Sequence, residues 1–449
     1  MLQNISFVLG VIILFVFVYM AIVSFKEKQK RAANISLISS LILSAPYIIA
    51  SVLNLEIIIM ILLAVTAIIL LLLFIPTGRM KVHESGKPKF QIDERIIVFS
   101  RRHLKKGSKR FENYYKQNPS HIRPDEEFRS KPGLMSKDST SFDNVIFKSA
   151  ESCFDFVRLL HKGTDGEISQ QKDEVDALKI TNYIKNWSKH LGAISVGVTE
   201  LKEHHFYSHH GREHNYGEKV ENKHKFAFAF TVEMDKDMMA TAPAAPTVLE
   251  SAHQYVNAGV IAVTIASFIR KLGYPAKAHI DESYDVLCPP IAEDAGLGTI
   301  GRLGLLMTPE LGPRVRLSVV TTDLPIVIDS KKQDNSAIDF CTKCKKCADV
   351  CPTKAVPFDE QKIHNGVKKW QIDQDACFKF WCINGTDCGK CITVCPYSHP
   401  NNSFHNFIRW GIKNSTIFRS FALRMDGLFY GKNPKQTRMV DWMNLNNMI

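Results

Sequence analysis

The sequence predicts an α/β core followed by a cysteine-rich module, with three membrane-spanning helices in front. Three observations carry that expectation. Three apolar runs without a single charge open the chain, at residues 5–25, 35–53 and 57–75. Beyond about residue 145, helix-period and strand-period stretches alternate. Nine of the eleven cysteines fall within residues 341–395.

A chain of 449 residues has room for about three domains. Its composition is 45% hydrophobic and its net charge is +12, both unevenly spread. Only Cys153 and Cys288 lie outside the cysteine-rich stretch, so no disulfide framework is implied. The thiols read as ligands in a reducing compartment.

Each opening run is close to the roughly 20 residues that cross a bilayer as a helix. A cleaved signal peptide is a poor account of the first. No basic residue precedes it, and it is longer than a signal core. Residues 1–78 therefore read as a three-helix anchor. Lys26, Lys28, Lys30 and Arg31 separate the first two runs, and Arg79, Lys81, Lys87 and Lys89 follow the third. The turn Asn54-Leu55-Glu56 carries no positive charge. Basic flanks stay in the cytoplasm. The expected location is the cell membrane, with the amino terminus outside and everything after Thr77 facing the cytoplasm.

Residues 79–144 read as a basic juxtamembrane segment. Between residues 79 and 137 there are 16 Lys and Arg against 7 Asp and Glu. Membrane lipids with anionic head groups are the expected partner, and no nucleic acid is expected. Ser100-Arg101-Arg102-His103-Leu104-Lys105 has the look of a twin-arginine export signal. No apolar run follows it, so it reads as a coincidence or a relic.

Residues 145–335 read as the catalytic core. Helices are expected over 149–160 and over 173–191, the second stopped by Gly192. Residues 193–198 suit a buried strand. Residues 226–232 alternate large and small apolar side chains, the pattern of a strand with unequal faces. Pro243 and Pro246 introduce a long helix over 247–272, closed by Gly273. Residues 336–400 form the cysteine module, and 401–449 read as a tail packing on the core.

Cys341, Cys344, Cys347 and Cys351-Pro352 follow the C-x2-C-x2-C-x3-C-P spacing of a 4Fe–4S site. Cys388, Cys391 and Cys395-Pro396 repeat its second half. Three thiolates come from one tight loop, and the fourth reaches across to the other cluster. Paired cysteines also build zinc ribbons. The Cys-Pro ending, used twice, favours iron and sulfur. Cys377 and Cys382 compete for the missing position of the second set.

Elsewhere, the long helix places Tyr255 one turn from Ser251 and from Gly259, leaving room for something flat. Gly296, Gly298, Gly301 and Gly304 allow close backbone approach to a ligand. No βαβ unit frames them, so a dinucleotide site is a poor reading. His204, His205, His209, His210 and His214 crowd one segment. Their spacing suits a solvated or cofactor-contacting loop better than a metal site.

A set of motifs now resembles a family. They are Tyr207-Ser-His209-His-Gly211-Arg212, Glu233-Met234-Asp235 with Ala242-Pro243, and Phe268-Ile-Arg270-Lys-Leu-Gly273-Tyr274. Then come Ala295-Gly-Leu-Gly298, Gly301-Arg302, Gly304-Leu-Leu, Gly312-Pro-Arg314-Val-Arg316, Thr322-Asp-Leu-Pro325 and the two cysteine runs. In order and interval, from about residue 111 to 442, they resemble the corrinoid-dependent reductive dehalogenases. The resemblance implies a nitroreductase-like core holding a base-off corrinoid (cobalamin) beside two 4Fe–4S clusters. It implies a small organohalide substrate and a membrane or soluble electron donor. Tyr255 matches the proton donor, and Arg316 the cation that stabilises its phenolate. Asp281 falls in the catalytic site where many dehalogenases have asparagine. His209, Gly296, Gly298 and Gly301 are implied corrinoid contacts. Cys377-Phe-Lys-Phe-Trp381 resembles the family's pattern, so Cys377 is preferred to Cys382. No D-x-H-x-x-G occurs, so a histidine ligand to cobalt is not implied. The chain departs from the family in its fused helices, where relatives carry an export signal and dock on a separate membrane protein. Two rivals share part of the pattern: an epoxyqueuosine-reductase-like enzyme acting on tRNA, and a membrane iron–sulfur electron carrier without catalysis.

Overall fold

The computed structural model describes residues 1–76, 86–212, 215–330, 336–433, 436–437 and 439–443. Arg79, Lys81 and His214 lie outside the described residues. The chain divides into two compact units: Met1–Lys81 with Asn401–Pro434, and Val82–Pro400 with Lys435–Ile449.

The first unit opens with helices α1 (Leu2–Lys26), α2 (Lys30–Val52) and α3 (Glu56–Phe74). α1 and α2 pack through small side chains. Ser36, Ser40 and Ser44 recur every four residues on the buried face of α2. A Cβ on Gly10 of α1 would meet Ile48 and Tyr47 at 2.9 Å. Small residues let backbones approach where no hydrophobic drive separates protein from lipid. Most leucines and isoleucines of these helices point outward instead, with Ile59 a buried exception.

Four helices among the described residues are long and apolar enough to cross a membrane, and α1–α3 are three of them. The fourth belongs to the second unit, where half of its apolar window is buried.

The second unit is built on a four-stranded antiparallel sheet. Its elements are α4 (Asn144–Leu160), α5 (Ala177–His190), β1 (Ser195–Glu200), β2 (Phe226–Glu233), α6 (Ala245–Lys271), β3 (Ala276–His279) and β4 (Val315–Thr322). Strand order is β1-β2-β4-β3. α4 begins earlier than its apolar period suggests, because Asp143 caps the amides of Val145 and Ile146 at 3.0 Å. α5 begins later, because Asp176 rather than Asp173 is its cap. Gly273 takes a left-handed φ of +83° just past α6.

The unequal faces of β2 set the layering. Phe228, Phe230 and Val232 pack against Ile261, Ile265 and Ile269 of α6. Ala227 and Ala229 face the other way, toward Ile291, Ala292 and Leu297. Large residues fill the space under the helix, and small ones let the opposite layer close in.

Two expectations are corrected here. Described residues 86–143 are not a free segment beside a membrane. Val98 and Phe128 are buried against Phe378 and Cys382, and Tyr114 and Tyr115 are buried with Leu104. Within the twin-arginine look-alike, Arg101 is 2% exposed and ion-paired with Asp125 at 3.1 Å and with Asp375. A buried carboxylate left alone is costly. Arg101→Ala should destabilise the protein by about 3–5 kcal/mol, seen as a lowered Tm by calorimetry. Adding Asp125→Asn should recover part of that loss, and a wild-type Tm in Arg101→Ala would refute the role.

The other correction concerns the tail. Residues 403–429 form α-helices that group with α1–α3, not with the core. The remainder does meet the core, where Met439, Val440 and Met443 pack against Ile146, Phe147 and Val248. The physical reason is the aromatic content of residues 404–430, which finds apolar partners such as Phe74 and Met20 among the first three helices.

Candidate functional site

Three pieces of backbone meet at Tyr255. α6 carries Ser251 and Tyr255 one turn apart, on one face. β4 carries Arg316, opposite Val232 of β2. The loop ahead of Cys388 carries Asp387. Arg316 Nη2 donates to Ser251 Oγ at 2.6 Å and to Asp387 Oδ2 at 3.1 Å. Ser251 Oγ also hydrogen-bonds Asp387 Oδ2. The Arg316 guanidinium lies over the Tyr255 ring, 5.0 Å from its centroid. The Tyr255 hydroxyl makes no hydrogen bond to any described residue. Arg316 Nε and Asp387 Oδ1 are buried, also with no partner among the described residues.

The cysteine loop is held in place from this side of the core. Thr386 Oγ1 donates to Pro243 O at 2.8 Å, and Thr393 Oγ1 to Met239 O at 3.0 Å. Gly389 has φ +66°, and a Cβ there would meet Met239 and Thr247 at 3.0 Å. Its counterpart in the first run is Lys345, with φ +54°. Both open the short helical turn that presents the next cysteine.

Charge and burial oppose each other around the tyrosine. Arg316 pulls the Tyr255 phenol down, but burial and the charges of Asp281 and Asp387 outweigh it, leaving a pKa of about 12. Burial and Glu282 push Asp281 up to about 6, against the pull of Arg212, Arg316 and Arg102. Arg212 is fixed by Glu94 at 2.9 Å and by the Tyr284 hydroxyl, and Arg102 by Glu282 at 3.4 Å. Tyr255, Arg316 and Asp281 thus share one electrostatic environment. Glu94 is fully buried and also accepts the Gly211 amide at 2.7 Å, so the 86–143 segment helps hold this wall.

The cysteines divide into two sets. Cys341, Cys344, Cys347 and Cys395 line one cavity, with Arg302 and Met307. Cys351, Cys377, Cys388 and Cys391 form the other. Burial pushes the Cys377 thiol up to about 12, with Cys388 and Cys351 adding to it. Cys391 lies well above the ordinary thiol range, through burial and then Cys388, Cys347, Cys377 and Cys351. Thiols gathered this closely fit a cationic centre, which offsets the repulsion among their thiolates. Cys382 points elsewhere, packing with Val98, Phe128 and Phe378. The last cysteine of each run reaches the opposite set, the crossed arrangement of two-cluster ferredoxins.

Other expected contacts differ. Gly298 approaches protein, since a Cβ there would meet Met307 O at 2.2 Å. Gly301 faces Met307 and the Cys341 sulfur, and Gly296, at φ +78°, makes its nearest approach to Ser330. These glycines allow a tight two-rung hairpin, Thr299–Ile300 with Leu306–Met307, beside the first cysteine cavity. His209 lies beside Ser208 and Asp93, at 3.1 and 3.8 Å. His205 Nδ1 accepts the Lys202 amide at 3.2 Å, which places the proton on Nε2, the atom 3.3 Å from Asp294. Lys202 Nζ also holds Asp294, at 2.6 Å.

Sequence reasoning missed Asp387 and the bonding role of Ser251. The only signal for Asp387 is its place beside Cys388. Its partner Arg316 lies 71 positions away, beyond any local pattern.

Residues 340–399 match the 4Fe-4S dicluster domain family. Over 308 residues the chain is 32% identical to the tetrachloroethene reductive dehalogenase of Sulfurospirillum multivorans, covering 60% of each protein. Among solved structures, the K488Q variant of the catabolic reductive dehalogenase NpRdhA superposes with a TM-score of 0.63 at 21% identity, over 79% of this chain and 48% of that one. A reductive dehalogenase structure described as suggesting a mechanism for B12-dependent dehalogenation gives a TM-score of 0.58 at 22% identity, over 69% and 46%. The chain thus spans about half to three-fifths of the length of these proteins. Fold and site define an iron–sulfur protein whose α/β core brings a tyrosine–arginine pair up to its cysteine module. The chain is thus similar to a reductive dehalogenase over about three-fifths of its length.

Proposed function

We propose that this protein is a membrane-anchored reductive dehalogenase, replacing a carbon-bound halogen by hydrogen in a small organohalide. The observation that carries the reading is the Tyr255, Arg316, Ser251 and Asp387 network, one residue away from Cys388. A bound corrinoid in a nitroreductase-like core, base-off, would supply a strongly reducing cobalt to the carbon–halogen bond, fed by two 4Fe–4S clusters. The first would be held by Cys341, Cys344, Cys347 and Cys395, the second by Cys351, Cys377, Cys388 and Cys391. The orphaned Arg316 Nε and Asp387 Oδ1 and the open phenol fit a polar-edged ligand at this corner.

The overall change consumes two electrons and one proton, and releases halide. Tyr255 gives the proton from its hydroxyl to the carbon that loses halogen. Arg316, above the ring, then stabilises the phenolate. Ser251 and Asp387 fix the guanidinium, so little reorganisation follows proton loss. The anchor keeps the catalytic unit on the cytoplasmic side, in contact with membrane lipids and a membrane or soluble electron donor.

Asp281 should add a pH limb. Its carboxyl is neutral below about 6 and anionic above. The anion raises the Tyr255 pKa further and opposes a departing halide. Turnover should therefore fall as pH rises through about 6, and Asp281→Asn should remove that limb. A limb unchanged in the variant would exclude Asp281 as its source.

The deciding experiment is anaerobic purification with corrinoid and iron–sulfur reconstitution. Cobalt and iron per chain, then halide release from a panel of organohalides, are the readouts. Iron without cobalt, and no halide released, would overturn the proposal.

A further inference from the structure

The first unit contains more than the three opening helices. Two further helices belong to it: α7 (Ser403–Asn414) and α8 (Thr416–Phe429). Their placement follows from two tethers. Short turns make consecutive helices of the anchor antiparallel. Gln3 of α1 bonds Ser51 of α2, and Tyr47 of α2 meets Leu62 of α3. α1 and α3 therefore run the same way, and Lys26 and Phe74 end on the same side.

α7 touches both of those ends. Asn402 Nδ2 donates to Glu27, just past α1, at 2.9 Å, and His405 Nε2 lies 3.1 Å from the same carboxylate. Phe407 and Trp410 pack on Phe74, at 6.1 and 5.8 Å between ring centroids. Five positions separate His405 from Trp410, or about 8 Å along a helix. A helix that short, pinned to two neighbouring helix ends, lies across them.

α8 returns at a greater depth. Phe418 meets Phe74 at 5.6 Å. At the far end, Phe429, Met425 and Tyr430 pack against Met20 and Phe17 of α1 and Ala32 of α2. Met20 precedes the end of α1 by six residues, about 9 Å. The pair keeps Phe407, Trp410, Ile417, Phe421 and Leu428 exposed, at 39–52%. Lys413, Arg424 and Lys432 are exposed cations, and Asp426 is the one acid between residues 401 and 433.

We infer that α7 and α8 form an interfacial hairpin embedded in one leaflet. Its aromatic face lies among acyl chains, and its lysines and arginines among anionic phosphate head groups. Continuity with the anchor is the argument. Exposed Phe407 and Trp410 pack on Phe74, where α3 would leave the bilayer, and the depth reached at Met20 matches the 5–10 Å of in-plane helices. Aromatic rings at such a boundary are favoured. Basic side chains beside an anionic leaflet add lipid attraction. This inference rests on reading α1–α3 as membrane spans.

The test uses the full chain, loaded with iron, in vesicles of phosphatidylcholine with phosphatidylglycerol. p-Benzoylphenylalanine replaces Phe421 or Leu428, with Leu70 of α3 as the anchor control and Ile363 of the second unit as the water control. After illumination, lipid adducts are counted by mass spectrometry, and iron content reports folding. Lipid adducts at 421, 428 and 70 but not at 363 are expected. The doubly altered Lys413→Glu/Arg424→Glu protein should lose several-fold in adduct yield at 421, and only with the anionic lipid. Adducts at 70 without adducts at 421 and 428 would overturn the hairpin while leaving the anchor intact. Cross-linked chain dimers at 421 would overturn it in favour of a second copy. No adduct at 70 would remove the anchor and the hairpin together.

Discussion

Tyr255→Phe is expected to lower halide release by about 10²–10⁴-fold, the usual contribution of a positioned general acid. Iron and cobalt content should stay as in the parent protein. The substitution removes one oxygen and leaves the ring in place. The Arg316 guanidinium, 5.0 Å from the ring centroid, keeps its cation–π partner. Arg316 also keeps Ser251 and Asp387. The loss should therefore fall on turnover, with KM little changed. A solvent isotope effect present in the parent and absent from the residual rate would tie the loss to proton transfer. Turnover within two-fold of the parent would remove Tyr255 as donor.

Cys377→Ser is the second large effect. It should cost the second cluster, taking iron from roughly eight to roughly four per chain. The electron path to the Tyr255 corner should fail with it. Cys377 sits with Cys351, Cys388 and Cys391, and burial, then Cys388 and Cys351, raise its pKa. Cys382→Ser is the matched control. That thiol packs with Val98, Phe128 and Phe378, with Arg102 as its charged neighbour. It should keep all its iron and lose only a modest amount of stability. Full iron in Cys377→Ser together with loss in Cys382→Ser would exchange the two assignments. Electron paramagnetic resonance of the reduced protein separates loss of one cluster from loss of both.

Periodicity and punctuation carried much of the fold. The uncharged runs, the alternating Phe226–Glu233 strand and the glycine after α6 are local signals, and each appears in the structure where its pattern lies. Helix starts were less legible. Asp143 and Asp176 decide where α4 and α5 begin, and several acids nearby could have done so. The glycine-rich loop misled for a definite reason. Glycine reports close approach without saying to what, and at Gly298 the neighbour is the carbonyl of Met307.

By itself, the sequence determined the classes of part: an apolar anchor, an α/β core, and thiols spaced for two clusters. Those follow from side-chain period and ligand spacing, which act over a few residues. Tertiary structure alone decided that Asp387 holds Arg316 beside Tyr255, and that α7 and α8 join the first three helices. Each of these is a contact between residues far apart in the chain. Burial and charge compensation, rather than local propensity, select such contacts.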